Sequence, residues 1–471
     1  MQPWQAITES EVEQIHETTL RILGEVGIVL SHPETRTVLL DAGAREYKDR
    51  IMIPPDLVEK CLSQCGGPVT VTGRNGRSVE IGGNALCWHN LGGARDIFDP
   101  RSGTARTATV QDVIDATRIL DALEHATTVT PFYTPTDVPG EIMSLAMYRH
   151  AIPHTTKPVQ GPGVQTPGEV QFAVEMAAAA GLDGVPSISV SPISPLTFPD
   201  ELAASIQEIA RHGIPFGPLP CPTAGSTAPM SLAGALTQQN AEVLASLVIA
   251  QLVRPGLPII YCGRLAMMEP RTGGSIWGGV EMGLASAATV QIGHRYNLPV
   301  NVYGLSTNAH SLDVQDGYER ALNSLLPALA GADELSGIGE MNAGVMGSHA
   351  QMVTDNDIAA SVKRAVSGFT VDPDSLAFEV VASVMEGAHN YLAEMHTVRY
   401  LRGGELLRTK LGERRSFEAW QAGGREGMAE RAQAEAERLL AEHQVEPLTE
   451  QQESALAALL SAAQAELTGQ A

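Results

Sequence analysis

Short runs of apolar and β-branched residues alternate with amphipathic helical patterns over most of the chain. The runs are 127–133, 157–161, 187–191, 214–219, 258–262, 299–303 and 334–339. The helical patterns between them include 141–150, 169–180, 200–212, 232–253, 278–296 and 315–330. Strands that alternate with helices predict a parallel sheet. Seven such units favour an α/β fold of the (β/α)8 TIM-barrel type over an open sheet, although the pattern does not locate the eighth strand.

The pattern changes towards both ends of the chain and predicts four segments. Residues 1–65 form an N-terminal helical segment, in which 8–45 look helical and Thr8 and Glu11 make a capping box. Residues 66–105 alternate between short strands and glycine turns, and we expect them near the barrel mouth. The barrel itself spans 106–410. Residues 411–471 form a C-terminal helical tail that is expected to pack at the periphery and could reach a neighbouring subunit.

Composition narrows the class of function. There are 54 acidic and 31 basic residues, giving a net charge of -23, so no basic stripe exists to bind nucleic acid. Five cysteines form no paired framework, which is typical of free thiols in a reducing compartment. No signal peptide and no apolar run of about 20 residues is visible, so we expect a cytoplasmic protein without a membrane span.

Catalytic residues of a (β/α)8 barrel lie at the carboxyl ends of its strands, and this rule selects candidates. Glu340 stands out because it follows the last predicted strand among several glycines, and a charged group there requires a partner or a function. Structural alternatives remain for the others. Trp88 could belong to the core, His89 and His310 could be ordinary polar residues, and Asp313 could start a helix.

Known catalytic motifs are not found. There is no G-x-G-x-x-G, no P-loop, no G-x-S-x-G and no H-E-x-x-H. Glu386 and His389 have a spacing that can ligate a metal, but the face of a helix explains them better, and we predict no metal site. The residues alone therefore predict a barrel with a polar mouth and no recognisable catalytic set.

Longer stretches carry a family resemblance. They are 191–216, 224–263, 268–299, 311–319 and 352–372. Through these stretches the chain resembles the trimethylamine methyltransferase family over nearly its whole length. The resemblance implies a (β/α)8 barrel that transfers a methyl group from a methylated amine to the Co(I) centre of a separate corrinoid protein. It implies no tightly bound cofactor, because the corrinoid (cobalamin) belongs to the partner.

The resemblance also bears on the substrate. Family members that use trimethylamine carry pyrrolysine, whereas this chain contains only the twenty common residues. It is therefore similar to the branch without pyrrolysine, which demethylates quaternary amines such as glycine betaine, proline betaine and carnitine-like compounds. The position that replaces pyrrolysine is expected in or near 337–349. Glu340 and Met341 stand there, where family members commonly show an aliphatic or aromatic residue.

The implied chemistry asks little of the side chains. A quaternary ammonium leaves as a neutral amine, so no proton has to move and the protein mainly supplies alignment. An N-methyl cation suits an aromatic cage, and a substrate carboxylate would need a cationic or histidine partner, with His310 ranked first. We therefore expect Glu340, as a determinant of substrate choice, and His310 to be catalytic. The expected substrate-binding residues are Trp88, His89, Tyr133, Tyr303, Asp313, Arg264, Trp277 and His349.

Other functions remain open from the residues alone. They are a non-catalytic betaine-binding or regulatory protein on the same barrel, a demethylase of a sulfonium or other methylated substrate, and a metal-dependent barrel hydrolase. A homo-oligomer is expected because most soluble oligomers are symmetric assemblies of one chain.

Overall fold

The N-terminal part combines short helices with short strands. The computed structural model describes residues 3–83 and 85–469, so positions 1–2, 84 and 470–471 of the predicted segments lie outside the described residues. The elements are α1 (Glu9–Arg21), β1 (Ile28–Leu30), α2 (Pro33–Asp41), β2 (Arg45–Tyr47), β3 (Arg50–Met52), α3 (Pro55–Leu62), β4 (Val69–Thr72) and β5 (Ser78–Ile81). The capping box is confirmed, since the amide of Thr8 donates to Glu11 Oε2 at 2.7 Å.

The prediction of helix throughout 8–45 is wrong in one respect. Strand β1 interrupts it, because β1 pairs antiparallel with β3 and so gains hydrogen bonds that a helix in this apolar stretch could not make with the sheet. The spacing of apolar residues within 8–45 cannot reveal this pairing, because strand β3 lies about twenty residues further along the chain.

Alternating strands and helices then follow over residues 87–367. The elements are β6 (Cys87–Asn90), β7 (Asp96–Asp99), β8 (Thr104–Thr107), α4 (Val110–Ala122), α5 (Met143–Ala151), α6 (Pro167–Ala179), β9 (Ile188–Val190), β10 (Thr197–Phe198), α7 (Asp200–His212), β11 (Phe216–Pro218), β12 (Thr223–Ala224), α8 (Leu232–Val253), β13 (Tyr261–Gly263), β14 (Ala266–Met268), β15 (Ser275–Ile276), α9 (Val280–Arg295), β16 (Val300–Tyr303), α10 (Val314–Leu329), β17 (Glu334–Ile338), β18 (Glu340–Met341), β19 (Met346–Gly347) and α11 (His349–Ser367). The predicted helix bounds agree closely with these. Gly213 ends α7 in the left-handed conformation, as predicted, but Pro199 rather than Asp200 is the residue that caps its start.

Eight strands close into a parallel barrel. Strands β13, β16, β17 and β6 pair in that order, and β9 pairs with β11. In β11, Phe216 pairs in parallel with Ile259, which leads directly into β13 as part of the same barrel strand. The remaining two strands contain Val129 and Val159, which pair with each other in parallel. The amide of Thr127 donates to the Trp88 carbonyl at 2.8 Å and that of Gly161 to Ser187 at 2.6 Å, which completes the circle. Each of the seven predicted runs contributes one strand, so the (β/α)8 architecture is confirmed.

Strand β6 is the eighth strand, and its position corrects the sequence interpretation. Residues 87–90 lie within the segment 66–105, which was expected to fold near the mouth as a separate region. Instead, β6 pairs with β17 and is part of the barrel wall. The strand was missed because it is four residues long and half polar, so its pattern lacks the apolar alternation of its neighbours.

The C-terminal part consists of helices α12 (Pro373–Leu376), α13 (Phe378–Glu386), α14 (Met395–Arg402), α15 (Phe417–Ala422), α16 (Met428–Glu442) and α17 (Glu450–Leu467). Helix α16 packs on α11 and α4, and α17 packs on α6 and α5. The tail helices therefore cover the barrel of their own chain, where Arg149 binds Glu453 at 2.7 Å. Within residues 3–83 and 85–469, no helix is long and apolar enough to cross a membrane.

Candidate active site

A cavity opens at the carboxyl ends of the barrel strands, where active sites of this fold lie. It has a volume of about 430 Å³, within the range of small-molecule sites. Side chains alternate across each strand, so Asn301 and Tyr303 face the barrel interior, whereas Val300 and Val302 face the helices. Among the lining residues are His89, Asn90, Thr130, Met143, Met147, Gln160, Glu169, Cys262, Arg264, Asn301 and Ser336.

A closed ring of hydrogen bonds forms the floor of this cavity. Asn301 Nδ2 donates to Glu334 Oε2 at 2.5 Å and lies 2.8 Å from His89 Nε2. His89 Nδ1 lies 3.3 Å from Thr130 Oγ1, which donates to Gln160 Oε1 at 3.2 Å. Gln160 Nε2 returns to Glu334 Oε1 at 3.3 Å. Because five strands contribute to the ring and its members satisfy one another, the floor is held in one arrangement.

The ring assigns the protonation of His89. The amide nitrogen of Asn301 can only donate, so His89 Nε2 accepts and the ring proton sits on Nδ1, facing Thr130. Burial lowers the pKa of His89, although the Glu334 carboxylate opposes this effect. His89 is therefore neutral at physiological pH, and it contributes hydrogen bonds rather than charge.

Arg264 brings a positive charge to this floor. Its guanidinium donates from Nη1 to the carbonyls of Gly263 and Asn301 at 3.0 Å each, and from Nη2 to the side-chain oxygen of Asn301. The residue is 6% exposed, and no carboxylate in the described part of the chain lies within ion-pairing distance of it. Glu334 is instead held by Asn301 and by Thr128 Oγ1 at 2.9 Å. A buried cation whose partners are all neutral favours an anionic ligand.

Glu169 supplies negative charge at another part of the cavity wall. It is the third residue of α6 and completes a capping box, accepting from the amides of Gln165 at 2.5 Å and Thr166 at 2.9 Å. Ser144 Oγ also donates to it. Two charged groups therefore line the cavity. The Arg264 guanidinium follows β13, and the Glu169 carboxylate, which accepts hydrogen bonds from two amides and a hydroxyl, lies at the start of α6.

Glu340 occupies a second, separate polar cluster. Strand β18 is hydrogen-bonded to β19 as a hairpin, and the Glu340 side chain is fully buried. Its Oε1 accepts from the amide of Thr307 at 3.1 Å, whereas Oε2 makes no hydrogen bond to any described residue. Burial raises the pKa of Glu340 to about 7, against the opposing charge of Arg320. Glu340 does not line the cavity described above, so it contacts the mouth only through its neighbours.

Arg320 lies at the centre of this second cluster. It binds Asp316 at 2.6 Å and Asp355 at 3.0 Å, and Nη2 donates to the backbone carbonyl of Glu340. Burial raises the pKa of Asp355 to about 7, and it raises that of Asp316 as well. The amide of Gly339 donates to Asp355 at 2.7 Å, so the cluster ties the end of β17 to helix α11.

Tyr303 connects the two clusters. The Arg264 guanidinium lies 4.9 Å from the centre of the Tyr303 ring, and Trp277, which is half-buried, lies 5.3 Å from it. A Cβ built on Gly344 would lie 3.7 Å from the Tyr303 hydroxyl and 3.5 Å from Glu340 Oε2, so both groups meet beneath the Gly344 backbone. Five predicted residues, His89, Arg264, Trp277, Tyr303 and Glu340, are thus brought to the mouth end of the barrel.

The remaining predicted site residues do not line the main cavity. Trp88 is paired with Leu335 across β6 and β17, and its side chain is fully buried in the core between the strands and the helices. Successive side chains of a strand point to opposite faces, so Trp88 points outwards from the barrel and His89 points inwards. Tyr133 is also buried, 6.2 Å from the ring of His349, and His349 lines a smaller cavity beside the β7–β8 hairpin. None of the residues that line the main cavity is Trp, Tyr or Phe, so the expected aromatic cage does not surround it.

The loop after β16 corrects two further expectations. His310 is exposed on this loop and does not line the cavity. Asp313 is the N-cap of α10, accepting from the amide of Gln315 at 2.8 Å, which matches the alternative that it starts a helix. Both residues followed a strand end in sequence, but the loop carries them over the rim to solvent.

The strand-end rule indicates Gln160, which follows the run 157–161, but the sequence did not lead us to Asn301, Glu334 and Glu169. A signal was available for the first two, since Asn301 interrupts an apolar strand and Glu334 begins one. Polar residues inside a buried strand must be paired, which marks them as interior ring members.

In the described ranges 3–83 and 85–469, no three His, Cys, Asp or Glu side chains are grouped to hold a metal ion.

The chain is similar in sequence to known methyltransferases over most of its length. The family model described as trimethylamine methyltransferase matches residues 1–468. The trimethylamine methyltransferase MttB of Desulfitobacterium hafniense (strain DSM 10664 / DCB-2) is 31% identical over 94% of this chain and 90% of its own length. The glycine betaine methyltransferase of Desulfitobacterium hafniense (strain Y51) is 28% identical over 88% of each chain. The crystal structure of the hydroxylamine MtmB complex aligns with a TM-score of 0.53 at 13% identity, covering 99% of this chain and 88% of that one.

Proposed function

As a member of the trimethylamine methyltransferase family, the protein is a methyltransferase, and we propose that its substrate is a quaternary ammonium compound that also carries a carboxylate. Glycine betaine, proline betaine and carnitine-like compounds belong to this class. We further propose that the methyl acceptor is the Co(I) centre of a separate corrinoid protein, so that the chain itself needs no tightly bound cofactor. The glycine betaine methyltransferase among its relatives and the absence of pyrrolysine from the sequence support this choice.

Arg264 is the observation that carries the proposal. It is a buried cation that lines the cavity, and its partners are backbone carbonyls and an amide oxygen. A carboxylate that enters the cavity would gain a charge-assisted hydrogen bond without displacing an existing ion pair. Tyr303 lies beneath the guanidinium and holds it in place. Trimethylamine has no carboxylate and would leave this charge unmatched.

Glu169 is suited to the ammonium end of the same ligand. Its charge is shared with the amides of Gln165 and Thr166 and with Ser144, so it attracts a cation moderately. Moderate attraction is useful, because the positive charge on nitrogen disappears as the methyl group leaves. A stronger ion pair would stabilise the bound substrate more than the transition state and would lower the rate.

The reaction is a displacement at the methyl carbon. The nitrogen–carbon bond breaks and its electron pair stays on nitrogen, which leaves as a neutral tertiary amine. The new bond to carbon uses the electron pair of the acceptor supplied by the corrinoid protein, and no proton moves. A neutral tertiary amine would have to leave as an amide anion, so a permanently charged nitrogen matches a site without an acid.

Glu340 acts in this proposal as a positioning residue. It lies beside the Tyr303 hydroxyl, and Tyr303 in turn packs against Arg264.

The proposal also places the protein in the reducing cytoplasm, which its five free cysteines support.

The test uses four substrates that separate the carboxylate from the permanent charge of a quaternary nitrogen. Glycine betaine has both features, choline has the fixed charge alone, dimethylglycine has the carboxylate alone, and trimethylamine has neither. Methyl transfer from each to cob(I)alamin is followed by absorbance. We expect rapid transfer from glycine betaine or a larger betaine, at least thirtyfold less from choline, and none from the two tertiary amines.

Three results would change the conclusion. Equal transfer from choline and betaines would remove the role of Arg264. Preference for a sulfonium with the same carboxylate would replace the ammonium as substrate. Binding of betaines without any transfer, to cob(I)alamin or to a corrinoid protein, would favour the non-catalytic binding protein.

A further inference from the structure

Residues 369–427, which connect α11 to α16, form an arm with almost no core of its own. The arm contains α12, α13, α14 and α15. Among its residues only Val384 and Leu411 are buried apolar side chains. Helices α12, α14 and α15 have no buried residue at all, and their lengths are four, eight and six residues. Helices this short are not stable in water by themselves, so the arm needs a surface to pack on.

The arm also exposes an unusual amount of apolar surface. Half of the exposed large apolar side chains in the described ranges fall in this eighth of the chain. They are Phe369, Val371, Leu376, Phe378, Val381, Met385, Tyr391, Leu392, Met395, Leu401, Leu406 and Phe417. Leu392 is 88% exposed and Phe369 is 78% exposed. Together they present on the order of 1,000 Å², above the few hundred Å² typical of monomers and enough for one side of a stable interface.

The arm lies away from the barrel mouth. Helices of a (β/α)8 barrel run antiparallel to the strands, so a helix that starts near the mouth ends at the opposite face. Helix α11 starts at His349, beside Tyr133 at the mouth end, and its last residue, Ser367, leads directly into the arm. A methyl acceptor must reach the mouth, and the arm is therefore not the surface that such a partner needs.

Charges on the arm are divided between its two halves. In the first half Glu379 and Glu386 are exposed and Glu394 is half-buried, and none of the three has a cationic partner within the described residues. The second half exposes Arg402, Arg408 and Arg414, and these three likewise form no ion pair with a described carboxylate. Asp372 is a further unpaired acid of the first half, and the second half also contains two unpaired bases, Lys410 and Arg425, and two unpaired acids, Glu418 and Glu426. The unpaired charges therefore sum to a negative value in the first half and to a positive value in the second.

We propose that the arm is a two-fold interface with a second copy of this chain. In a two-fold interface each surface meets its own counterpart, so the acidic half of one arm faces the basic half of the other in both directions. The apolar side chains are then buried between the copies. A chain with a net charge of -23 repels its own copies elsewhere, and the arm offers the matched charges that offset this repulsion.

The test measures the mass of the full-length protein by sedimentation and by light scattering after size exclusion. We expect the wild-type chain at 10 μM to have at least twice the mass of one 49.9 kDa chain. The first variant carries Glu379→Lys, Glu386→Lys and Glu394→Lys. The second carries Arg402→Glu, Arg408→Glu and Arg414→Glu. Each should weaken association at least tenfold, because like charges would then face each other.

Mixing the two variants is the decisive step. The basic arm of one variant complements the acidic arm of the other in both directions, so the mixture should recover the wild-type mass. The control carries Glu17→Lys and Asp41→Lys, two exposed positions outside the arm, and should keep that mass. A monomeric wild-type chain, single variants that stay associated, or a mixture that stays dissociated would each overturn the proposal. None of these outcomes depends on methyl transfer.

Discussion

Two buried polar clusters lie at the mouth end of the barrel, and they differ in how charge is balanced. In the ring around Asn301, one carboxylate, Glu334, accepts several hydrogen bonds, and one cation, Arg264, contacts only neutral acceptors. In the other cluster a single cation, Arg320, serves three carboxylates, and burial raises the pKa values of all three.

The difference separates a binding role from a bracing role. The first cluster includes an unmatched positive charge that lines the cavity, which suits the anionic group of the proposed substrate. The second hides a surplus of negative charge in the protein, where it joins β17, the β18–β19 hairpin and α11. Buried charges of this kind cost stability, and under the proposed function the cluster serves to hold Glu340 and Tyr303 in place.

The largest effect is expected from Arg320→Ala. Loss of the only cation would leave Asp316, Asp355 and Glu340 buried without a counter-charge, and we expect the free energy of unfolding to fall by about 3–5 kcal/mol. Urea unfolding at neutral pH measures this change. Arg438→Ala is the matched control, because Arg438 pairs with Glu435 and Glu442 on the surface and should cost below ~1 kcal/mol. Equal losses in both variants would contradict the bracing role.

Arg264→Ala should act on catalysis. We expect kcat/KM for a carboxylate-bearing quaternary amine to fall roughly 30- to 1,000-fold, which corresponds to a loss of about 2–4 kcal/mol of transition-state stabilisation. Transfer from choline should change little, because choline has no group for Arg264 to bind. Arg271→Ala, at an exposed arginine of a nearby loop, serves as the control and should retain wild-type rates. An equal decrease for choline and betaines would show that Arg264 is structural.

Glu340→Gln should change how stability depends on pH. A carboxyl group whose pKa rises to about 7 in the folded state binds a proton there that the unfolded chain has already lost. Wild-type stability is therefore lost as pH rises from about 4.5 to about 7, and the loss is complete above that range. The variant cannot ionise, so its stability relative to wild type should increase over this window by on the order of 1–3 kcal/mol. A difference between the two proteins that is constant from pH 5 to pH 8 would disprove this assignment.

His310→Ala is expected to have the smallest effect. His310 is exposed on the loop after β16 and does not line the cavity, so kcat/KM should stay within about twofold of wild type. Steady-state kinetics with the preferred substrate measures this. A decrease of tenfold or more would show that the loop closes over the substrate and would restore the catalytic role that the sequence suggested.

Much of the fold could be predicted because it is encoded locally. Strands such as 299–303 and helices such as 232–253 have the period and length of their elements, and turn residues such as Gly213 mark where they end. Strand β6 is the exception. Residues Cys87–Asn90 form a strand because they are hydrogen-bonded to β17 and to residue 127, which are distant in sequence.

The site could be predicted only in part. The strand-end rule and the family resemblance selected His89, Arg264, Tyr303 and Glu340, all of which lie at the mouth end. Neither could tell which face of a strand a residue occupies when the register is unknown, and a shift by one residue reverses it. That is why Trp88 was expected in the site and lies in the core, whereas its neighbour His89 lines the cavity.

The sequence by itself determined the alternation of strands and helices, the family and hence the class of chemistry, because these are written in local patterns and long stretches of similar residues. Only the tertiary structure decided that Arg264 is a buried cation with neutral partners and that Glu340 is buried beside Arg320 rather than open to the cavity. Burial and charge pairing depend on which residues the closed barrel brings together. Asn301 and Gln160 are 141 positions apart in the chain, and both bind Glu334 only when eight strands close into a barrel.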